Sequence, residues 1–382
     1  MENRQISENI IKVVAVACDM ITPYGKGTDA CWENILSGRT AISKIKRFDV
    51  SAFQSEYAGT VEGLEYHGKS SLVEQMLISL FGKYKGSIPD DAGLIVATTK
   101  GEIDLLEKKM LKGQNNIPAN NQTAFLEKVS SIAGTKDKGM IISAACSSAA
   151  TAIARACAMI KCGKTECVLV IACDSVTEFV YSGFSSLMAL DKFAARPFDK
   201  NRSGLSLGEA AAFVLLMSES RARRENREIA GEVLGCGLSD DANHMTGPSR
   251  NSEGLILALK KALLSSGVFE DDVGFISAHG TGTVYNDAME LRAFTAVFKD
   301  RKPVYSIKGG IGHTMGAAGL VEMIIAMRAL REGKIPPTVN LKEADTDAEG
   351  WVSTGARLIP HNSIGLMTNA GFGGINAALV LG

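Results

Sequence analysis

Apolar positions along the chain fall into two periods. Short unbroken runs that fit buried strands occur at Ile11–Cys18, Ala92–Thr98, Met140–Ala145 and Cys167–Cys173, and again at Val273–Ala278, Val304–Lys308, Leu366–Ala370 and Ile375–Leu381. Segments with helical spacing lie between them, at Thr28–Ser37, Ser147–Cys162, Ala288–Phe298 and Gly316–Arg331. Gly38, Gly163 and Gly333 stand just past three of these segments, where helices commonly end in a left-handed residue. Strand-like runs alternating with helices predict an α/β fold. The alternation occurs twice, and the charged stretch Ser218–Glu228 (SESRARRENRE) marks the place to divide it. Two similar halves are expected, 1–228 and 229–382.

With 382 residues the chain can bury a core that needs neither disulfide nor metal. Lys and Arg total 41 against 42 Asp and Glu, which argues against a nucleic-acid or membrane-surface partner. The eight cysteines (18, 31, 146, 157, 162, 167, 173 and 236) form no CxxC pair, and five histidines leave no zinc-type spacing. Thiols inside apolar runs, with no export signal ahead of them, read as reduced cysteines of a cytoplasmic protein. The opening MENRQISENIIKVVAVACDM places acidic residues before a short apolar run, too short for a bilayer and wrongly flanked for export.

Cys146, in SAACSSAA, stands where a strand gives way to a helix. A helix start offers N–H groups without partners, and its dipole favours a thiolate. A buried structural cysteine is the competing reading. It is the better one for Cys157, Cys162, Cys167 and Cys173, which sit inside a helix and a strand. His279 in AHGTGT and His313 in GGIGHTMGAAG each follow a strand and enter a glycine-rich loop, the place where α/β sheets put their chemistry. Lys308 precedes His313 by five residues, and Asp287 and Glu290 follow His279 by eight and eleven. These three are candidates to orient the imidazoles; otherwise they are surface charges. GGIGHTMG also follows a strand, but Gly310, Gly312 and Gly316 have GxGxxxG spacing and no acidic residue closes a following strand. A nicotinamide site is set aside on that ground.

Taken together, CSSA at Cys146, AHGTGT with Asp287 and Glu290, SIKGGIGHTMGAAG and NAGFGGINAALV resemble the elongating β-ketoacyl-acyl-carrier-protein synthases. ARPFDKNRSGLSLGEAAA, DANHMT and IPPTVNL extend the likeness along most of the chain. The resemblance implies the thiolase fold, two α/β halves in a five-layered αβαβα arrangement, working as a homodimer or as a heterodimer with a related chain. It implies decarboxylative Claisen condensation. Malonyl-acyl-carrier protein would react with an enzyme-bound acyl group to give 3-oxoacyl-acyl-carrier protein, in fatty-acid, polyketide or polyene synthesis. In that reading Cys146 is the nucleophile, and His279 and His313 assist decarboxylation and stabilise the enolate. Lys308 with Glu290, and Asp287 beside them, orders the site. Thr281 and Thr283 hold the phosphopantetheine arm. Phe372, in the turn Gly371–Gly374 with Gly371 and Gly373, is the gate, and its N–H joins that of Cys146 in an oxyanion hole. No metal is implied, and no cofactor beyond the carrier's phosphopantetheine. The partner is an acidic acyl carrier protein facing Lys192, Arg196, Lys200 and Arg202, with internal ion pairs the alternative for the two arginines.

Two relatives of that family compete with this reading. A chain-length-factor-like partner shares the fold but lacks the nucleophile, and Cys146 with both histidines argues against it. A degradative thiolase uses a second cysteine late in the chain, and none follows Cys236. The chain also departs from the family pattern. The segment Glu62–Asp91 is short and lacks a clear helix of alternating basic and apolar residues. Lys100 falls in the turn where the family closes its acyl pocket with a branched apolar residue. This predicts a short pocket, or one that takes a polar or unsaturated acyl group, unless Lys100 turns to solvent and Thr99 lines the space.

Overall fold

The computed structural model describes residues 11–84, 86–113 and 121–382. Residues Met1–Ile10, on which the reading against an export signal partly rests, lie outside the described residues. The first half contributes β1 (Val13–Thr22), β2 (Gly93–Ala97), β3 (Met140–Ile142), β4 (Cys167–Asp174) and β5 (Ala210–Ser218). The second contributes β6 (Gly231–Asp240), β7 (Val273–Ser277), β8 (Val304–Tyr305), β9 (Ile364–Ala370) and β10 (Ile375–Leu381). Their spatial order is β3-β2-β4-β5-β1 in one set and β8-β7-β9-β10-β6 in the other. Each set repeats the other strand for strand. The senses agree too: β2 is parallel to β3 and β4, and β5 is antiparallel to β4 and β1. Likewise β7 is parallel to β8 and β9, and β10 is antiparallel to β9 and β6. The two sets meet along one short edge, Val14 opposite Glu232 and Ala15 opposite Gly231.

Eight helices matter to the layers and the site: α1 (Thr28–Leu36), α2 (Leu72–Phe81), α3 (Gln122–Ala133), α4 (Ser148–Lys161), α5 (Glu178–Ser186), α6 (Glu253–Ser266), α7 (Val284–Val297) and α8 (Ala318–Glu332). The alternation of side chains along a strand sorts them into layers. On β4, Val168, Val170 and Ala172 pack into the cluster that holds α4 and α8, while Leu169, Ile171 and Cys173 pack with α2 and α3 on the other face. On β10, Ala377 and Leu379 join the α4–α8 cluster, and Ala378 and Val380 pack with α6 and α7. Both sheets are thus covered on both faces, which is why their strands read as unbroken apolar runs. The result is five layers, αβαβα, with α4 and α8 in the middle. Alanines 149, 150, 152 and 156 keep α4 slim there. Gly319 lets α8 come close: a side-chain carbon at that position would lie 3.0 Å from the Ala150 nitrogen. Each buried leucine or isoleucine of this layer contributes about 1.5–3 kcal/mol.

Several elements differ from the sequence reading. The run Val304–Lys308 is a strand only as far as Tyr305, because the chain then turns into the short helix Lys308–Ile311. The helix expected from Ala288 begins four residues earlier, at Val284, because Thr283 caps it. The segment 62–91 holds a helix, α2, capped by Ser71 and built from an apolar face of Leu72, Val73, Met76, Leu77 and Leu80, and it carries no basic residue, so the expected lack of a helix of alternating basic and apolar residues stands. No helix among the described residues is long and apolar enough to cross a membrane. In both halves a left-handed residue stands shortly before the central helix: Ala145, with φ 47°, before α4, and Met315, with φ 52°, before α8.

Candidate active site

The chain leaves β3 at Ile142, turns through Ser143–Ala145 and enters α4 at Ser148. Cys146 sits on this turn, 6% exposed. The two serines that follow are consumed by the turn. Ser148 Oγ accepts from Ala144 N at 2.8 Å and donates to Ala145 O at 2.6 Å, and Ser147 Oγ donates to Ile375 O of the other half at 2.8 Å. Burial pushes the Cys146 thiol above the ordinary cysteine range, while the Phe372 N–H on its sulfur and the charges of Lys308 and Lys100 act the other way. The expected thiolate at a helix start is corrected here. The donor acting on the sulfur comes from the facing turn of the second half, and desolvation outweighs it.

His279 follows β7 and His313 follows the Lys308–Ile311 helix, and both are 1% exposed. Their rings lie 5.1 Å apart, nearly perpendicular. The Cys146 sulfur and a nitrogen from each imidazole all lie within 4.8 Å of one another. Lys308 Nζ lies 3.2 Å from His279 Nδ1 and donates to the His279 carbonyl at 2.5 Å. An ammonium can only donate, so Nδ1 is an acceptor and the His279 proton sits on Nε2. Neither ring nitrogen of His313 has a hydrogen-bond partner among the described residues. Burial, followed by the Lys308 charge, holds both imidazoles well below the ordinary histidine range. They are neutral N–H donors facing a thiol.

The acid behind Lys308 is Glu322, not Glu290. Lys308 Nζ pairs with Glu322 Oε1, and Asn369 Nδ2 donates to Oε2 at 2.6 Å. Glu290 instead accepts the backbone N–H of His279 at 2.8 Å and of Gly280 at 2.6 Å, with Thr368 Oγ1 and Asn286 Nδ2 completing its shell. Burial pushes its carboxyl up to about 7. Asp287 takes the N–H of Thr281 and Gly282 on one oxygen and that of Phe198 on the other. Both acids project from the first turns of α7 and hold the backbone of the AHGTGT loop rather than the imidazoles. Glu322 was overlooked although α8 reads AGLVEMIIAMRALRE: an acid flanked on both sides by apolar residues signals a buried partner. Asp174, at the end of β4, was also overlooked. It is 1% exposed and accepts from Thr98, Thr99, Lys100 and Gly316.

A cavity of about 380 Å³ opens over Cys146, His279 and His313, and Thr281, Thr283, Gly371 and Phe372 also line it. Thr281 and Thr283 share a hydrogen bond at 2.9 Å. Gly371 presses on the nucleophile turn, with a side-chain carbon there placed 3.2 Å from the Cys146 nitrogen. Phe372 stacks on Phe184 of α5 at 5.7 Å. Gly373 does not line the cavity; its N–H is held by the Met245 carbonyl at 2.7 Å. Of the four cations assigned to the entrance, Arg202 is 8% exposed and pairs with Asp345 and Asp287, and Arg196 lies 3.7 Å from Asp191. Internal pairing is the reading that fits the two arginines. Lys200 pairs with the exposed Glu343, and Lys192 lies beside the Phe193 ring.

A buried thiol and two neutral imidazoles, contributed by equivalent ends of two duplicated sheets, define a thiolase-fold acyl-transfer site. Comparison with known proteins gives the family. Residues 11–77 and 85–222 match the model of the beta-ketoacyl synthase N-terminal domain, and residues 230–342 match that of the C-terminal domain. The chain belongs to the beta-ketoacyl synthase family. It is 29% identical to 3-oxoacyl-[acyl-carrier-protein] synthase 2 of Vibrio cholerae, over 97% of this chain and 98% of that protein. It is 30% identical to the protein of the same name from Coxiella burnetii, over the same shares. It is 29% identical to the tetracenomycin polyketide synthase ketoacyl synthase alpha subunit of Streptomyces glaucescens, over 97% and 96%. Among solved structures, the ishigamide ketosynthase/chain length factor superposes with a TM-score of 0.88 at 28% identity, over 97% of this chain and 99% of that one. A beta-ketoacyl synthase from Burkholderia phymatum gives 0.85 at 24% identity and shares the fold.

Proposed function

We propose that this protein condenses an acyl group held on Cys146 with a malonyl thioester carried by an acyl carrier protein. The observation that carries this reading is the Cys146 sulfur within 4.8 Å of a nitrogen from each neutral imidazole. In the first half-reaction the sulfur attacks the acyl thioester. The N–H groups of Cys146 and Phe372 receive the oxyanion, and the thiol proton leaves with the carrier thiol. In the second, the malonyl group loses carbon dioxide and its bonding electrons pass to the thioester oxygen. His279, through Nε2–H, and His313 donate to that oxygen. The enolate carbon then attacks the acyl-cysteine, and the Cys146 thiolate departs. Lys308 fixes the His279 tautomer. Thr281 and Thr283, at the cavity mouth, suit the amide groups of the phosphopantetheine arm. Each step uses groups of this chain, so no metal or further cofactor is assigned. The nucleophile and both histidines disfavour a non-catalytic chain-length factor.

The halves are taken to divide at 228/229, between the Glu219–Arg224 helix and β6. A dimer is assigned through β3, the outermost strand of the first sheet, whose outer edge pairs with no strand among the described residues. That partner is a second copy or a related chain. The test separates the half-reactions. Cys146→Ala should lose acylation, read by mass spectrometry of the intact protein, yet still release carbon dioxide from malonyl-carrier protein. His313→Ala should be acylated normally but lose about 10²–10³-fold in decarboxylation. An unmodified Cys146 in the wild type, or normal decarboxylation by His313→Ala, would overturn the assignment.

A further inference from the structure

Near its end β9 carries two fully buried polar residues, Thr368 and Asn369. Successive side chains of a strand point to opposite faces. Leu366 lies in the cluster with α6 and α7, and Met367 in the cluster with α4 and α8. Thr368 therefore faces α7, where its Oγ1 donates to Glu290 Oε1 at 2.8 Å and accepts from His279 N at 3.3 Å. Asn369 faces α8, where its Nδ2 donates to Glu322 Oε2 at 2.6 Å and lies 3.4 Å from His279 Nδ1. Two neighbouring residues thus hold His279 from opposite sides of the strand, one by its backbone and one by its ring. This inference rests on the condensing reading and concerns what prepares His279 for it.

The amide can point only one way. A carboxylate accepts and cannot donate, so the atom facing Glu322 Oε2 is Nδ2, and Oδ1 is turned away. Oδ1 has no hydrogen-bond partner and occupies the space left by Gly319 of α8, where a side-chain carbon would collide with it. An amide nitrogen carries two hydrogens, one for Glu322 and one for His279. With Lys308 Nζ at 3.2 Å, two donors face Nδ1. The four groups close a ring: Lys308 and Asn369 both face Nδ1, and each donates to one oxygen of Glu322. The duplication of the fold marks the same position. The last residue of β2, Ala97, pairs with Ala172, and the last residue of β7, Ser277, pairs with Met367. Asn369 therefore stands where Asp174 stands in the first half. Asp174 accepts the N–H groups of Thr99 and Gly316. At 369 a carboxylate would face Glu322 and an unprotonated Nδ1. The amide in its place turns an acceptor into a donor.

We propose that Asn369 is a positioning residue for decarboxylation: with Lys308 it denies a proton to His279 Nδ1 and so keeps the N–H on Nε2, facing the thioester oxygen. The test is Asn369→Asp, which changes the donor into an acceptor at nearly constant volume. The new carboxylate takes a proton from Nδ1 and competes with Glu322 for the Lys308 ammonium, so neutral His279 presents a bare Nε2 to the substrate. Nitrogen-15 NMR of histidine-labelled protein, with His279 identified by its loss in His279→Ala, should find the proton on Nε2 in the wild type and on Nδ1 in the variant. Carbon dioxide release from malonyl-carrier protein at pH 8 should fall about 10²–10³-fold, while acylation of Cys146 stays close to the wild type. At pH 6 the variant should regain part of its rate, because a proton bound between the carboxylate and Nδ1 returns the N–H to Nε2. The wild type should show no such gain, since burial keeps its imidazole neutral. The other groups around His279, namely Lys308, Glu322, Glu290, His313 and Cys146, are common to both proteins. Unchanged decarboxylation, or a proton still on Nε2 in the variant, overturns the proposal. So does an equal loss of acylation and decarboxylation, the mark of a merely structural part. If Asn369→Asp does not fold, Asn369→Ala removes the donor without adding charge, and the split between the two half-reactions decides. A wild type that neither acylates Cys146 nor releases carbon dioxide would instead sink the condensing reading.

Discussion

Lys308 is 1% exposed and makes its contacts with His279 and Glu322 inside the protein. Removing one member of such a pair leaves an uncompensated charge, which costs about 3–5 kcal/mol, while removing both is far cheaper. Lys308→Met and Glu322→Leu should therefore each lower stability by that order, and the double variant should recover much of the loss. Chemical denaturation read by fluorescence measures all three. Additive losses would mean that the pair is not coupled. Condensation should stay low in the two variants that lack Lys308, because the ammonium that holds His279 Nδ1 as an acceptor is gone and only the longer contact with Asn369 Nδ2 at 3.4 Å remains. Spacing along the chain could not reveal this pair. Glu290 lies eleven residues beyond His279 and Glu322 lies fourteen beyond Lys308; which carboxylate faces the ammonium depends on how α7 and α8 pack.

At the scale of elements, the turn Gly371–Gly374 is the part of the second half that touches the nucleophile. A side chain at 371 would press on it, since its first carbon would lie 3.2–3.4 Å from the Cys146 nitrogen, the Ala145 methyl and the Ala144 carbonyl. Gly371→Ala should push Phe372 N–H off the sulfur and lower acyl transfer about 10²–10³-fold. Thermal unfolding should stay close to the wild type, since nothing in the layers moves. Activity within threefold of the wild type would show that the turn yields. The same scale explains what could be read in advance. β4 and β10 were legible because sheets covered on both faces make apolar runs. β8 was not, because Ile307 continues the apolar pattern past the strand's end at Tyr305, up to Lys308 where a helix starts. That Cys146, His279 and His313 come together was legible from their strand-to-loop positions. The thiol's raised pKa was not, since it follows from burial under a turn more than two hundred residues away.

For the whole molecule, the central layer decides whether the halves can live apart. α4 belongs to the first half and α8 to the second, yet both pack in one cluster with strands of both sheets. Alone, residues 11–228 would expose one side of α4, and residues 229–382 would expose α8, whose residues 318–327 are all buried. We expect the full chain to unfold in one calorimetric transition. Each half expressed separately should be insoluble or bind a hydrophobic dye. Two well-separated transitions would contradict this.

The paired left-handed residues have a consequence for descent. Ala145 and Met315 hold the same backbone posture ahead of α4 and α8, and the positions that follow them are Cys146 and Gly316. The duplicated topology thus builds two equivalent sockets, and only one carries a thiol. In the other, Asp174 Oδ2 stands 2.6 Å from where a side chain would begin. Had the ancestor been two identical chains, any residue placed in one socket would have appeared in both. Two repeats within one polypeptide are free of that constraint. One socket could arm itself while its twin surrendered its side chain and became an anchor for the neighbouring turn. The asymmetry of the reaction, with one group giving acyl and another losing carbon dioxide, sits on a topology whose two halves repeat.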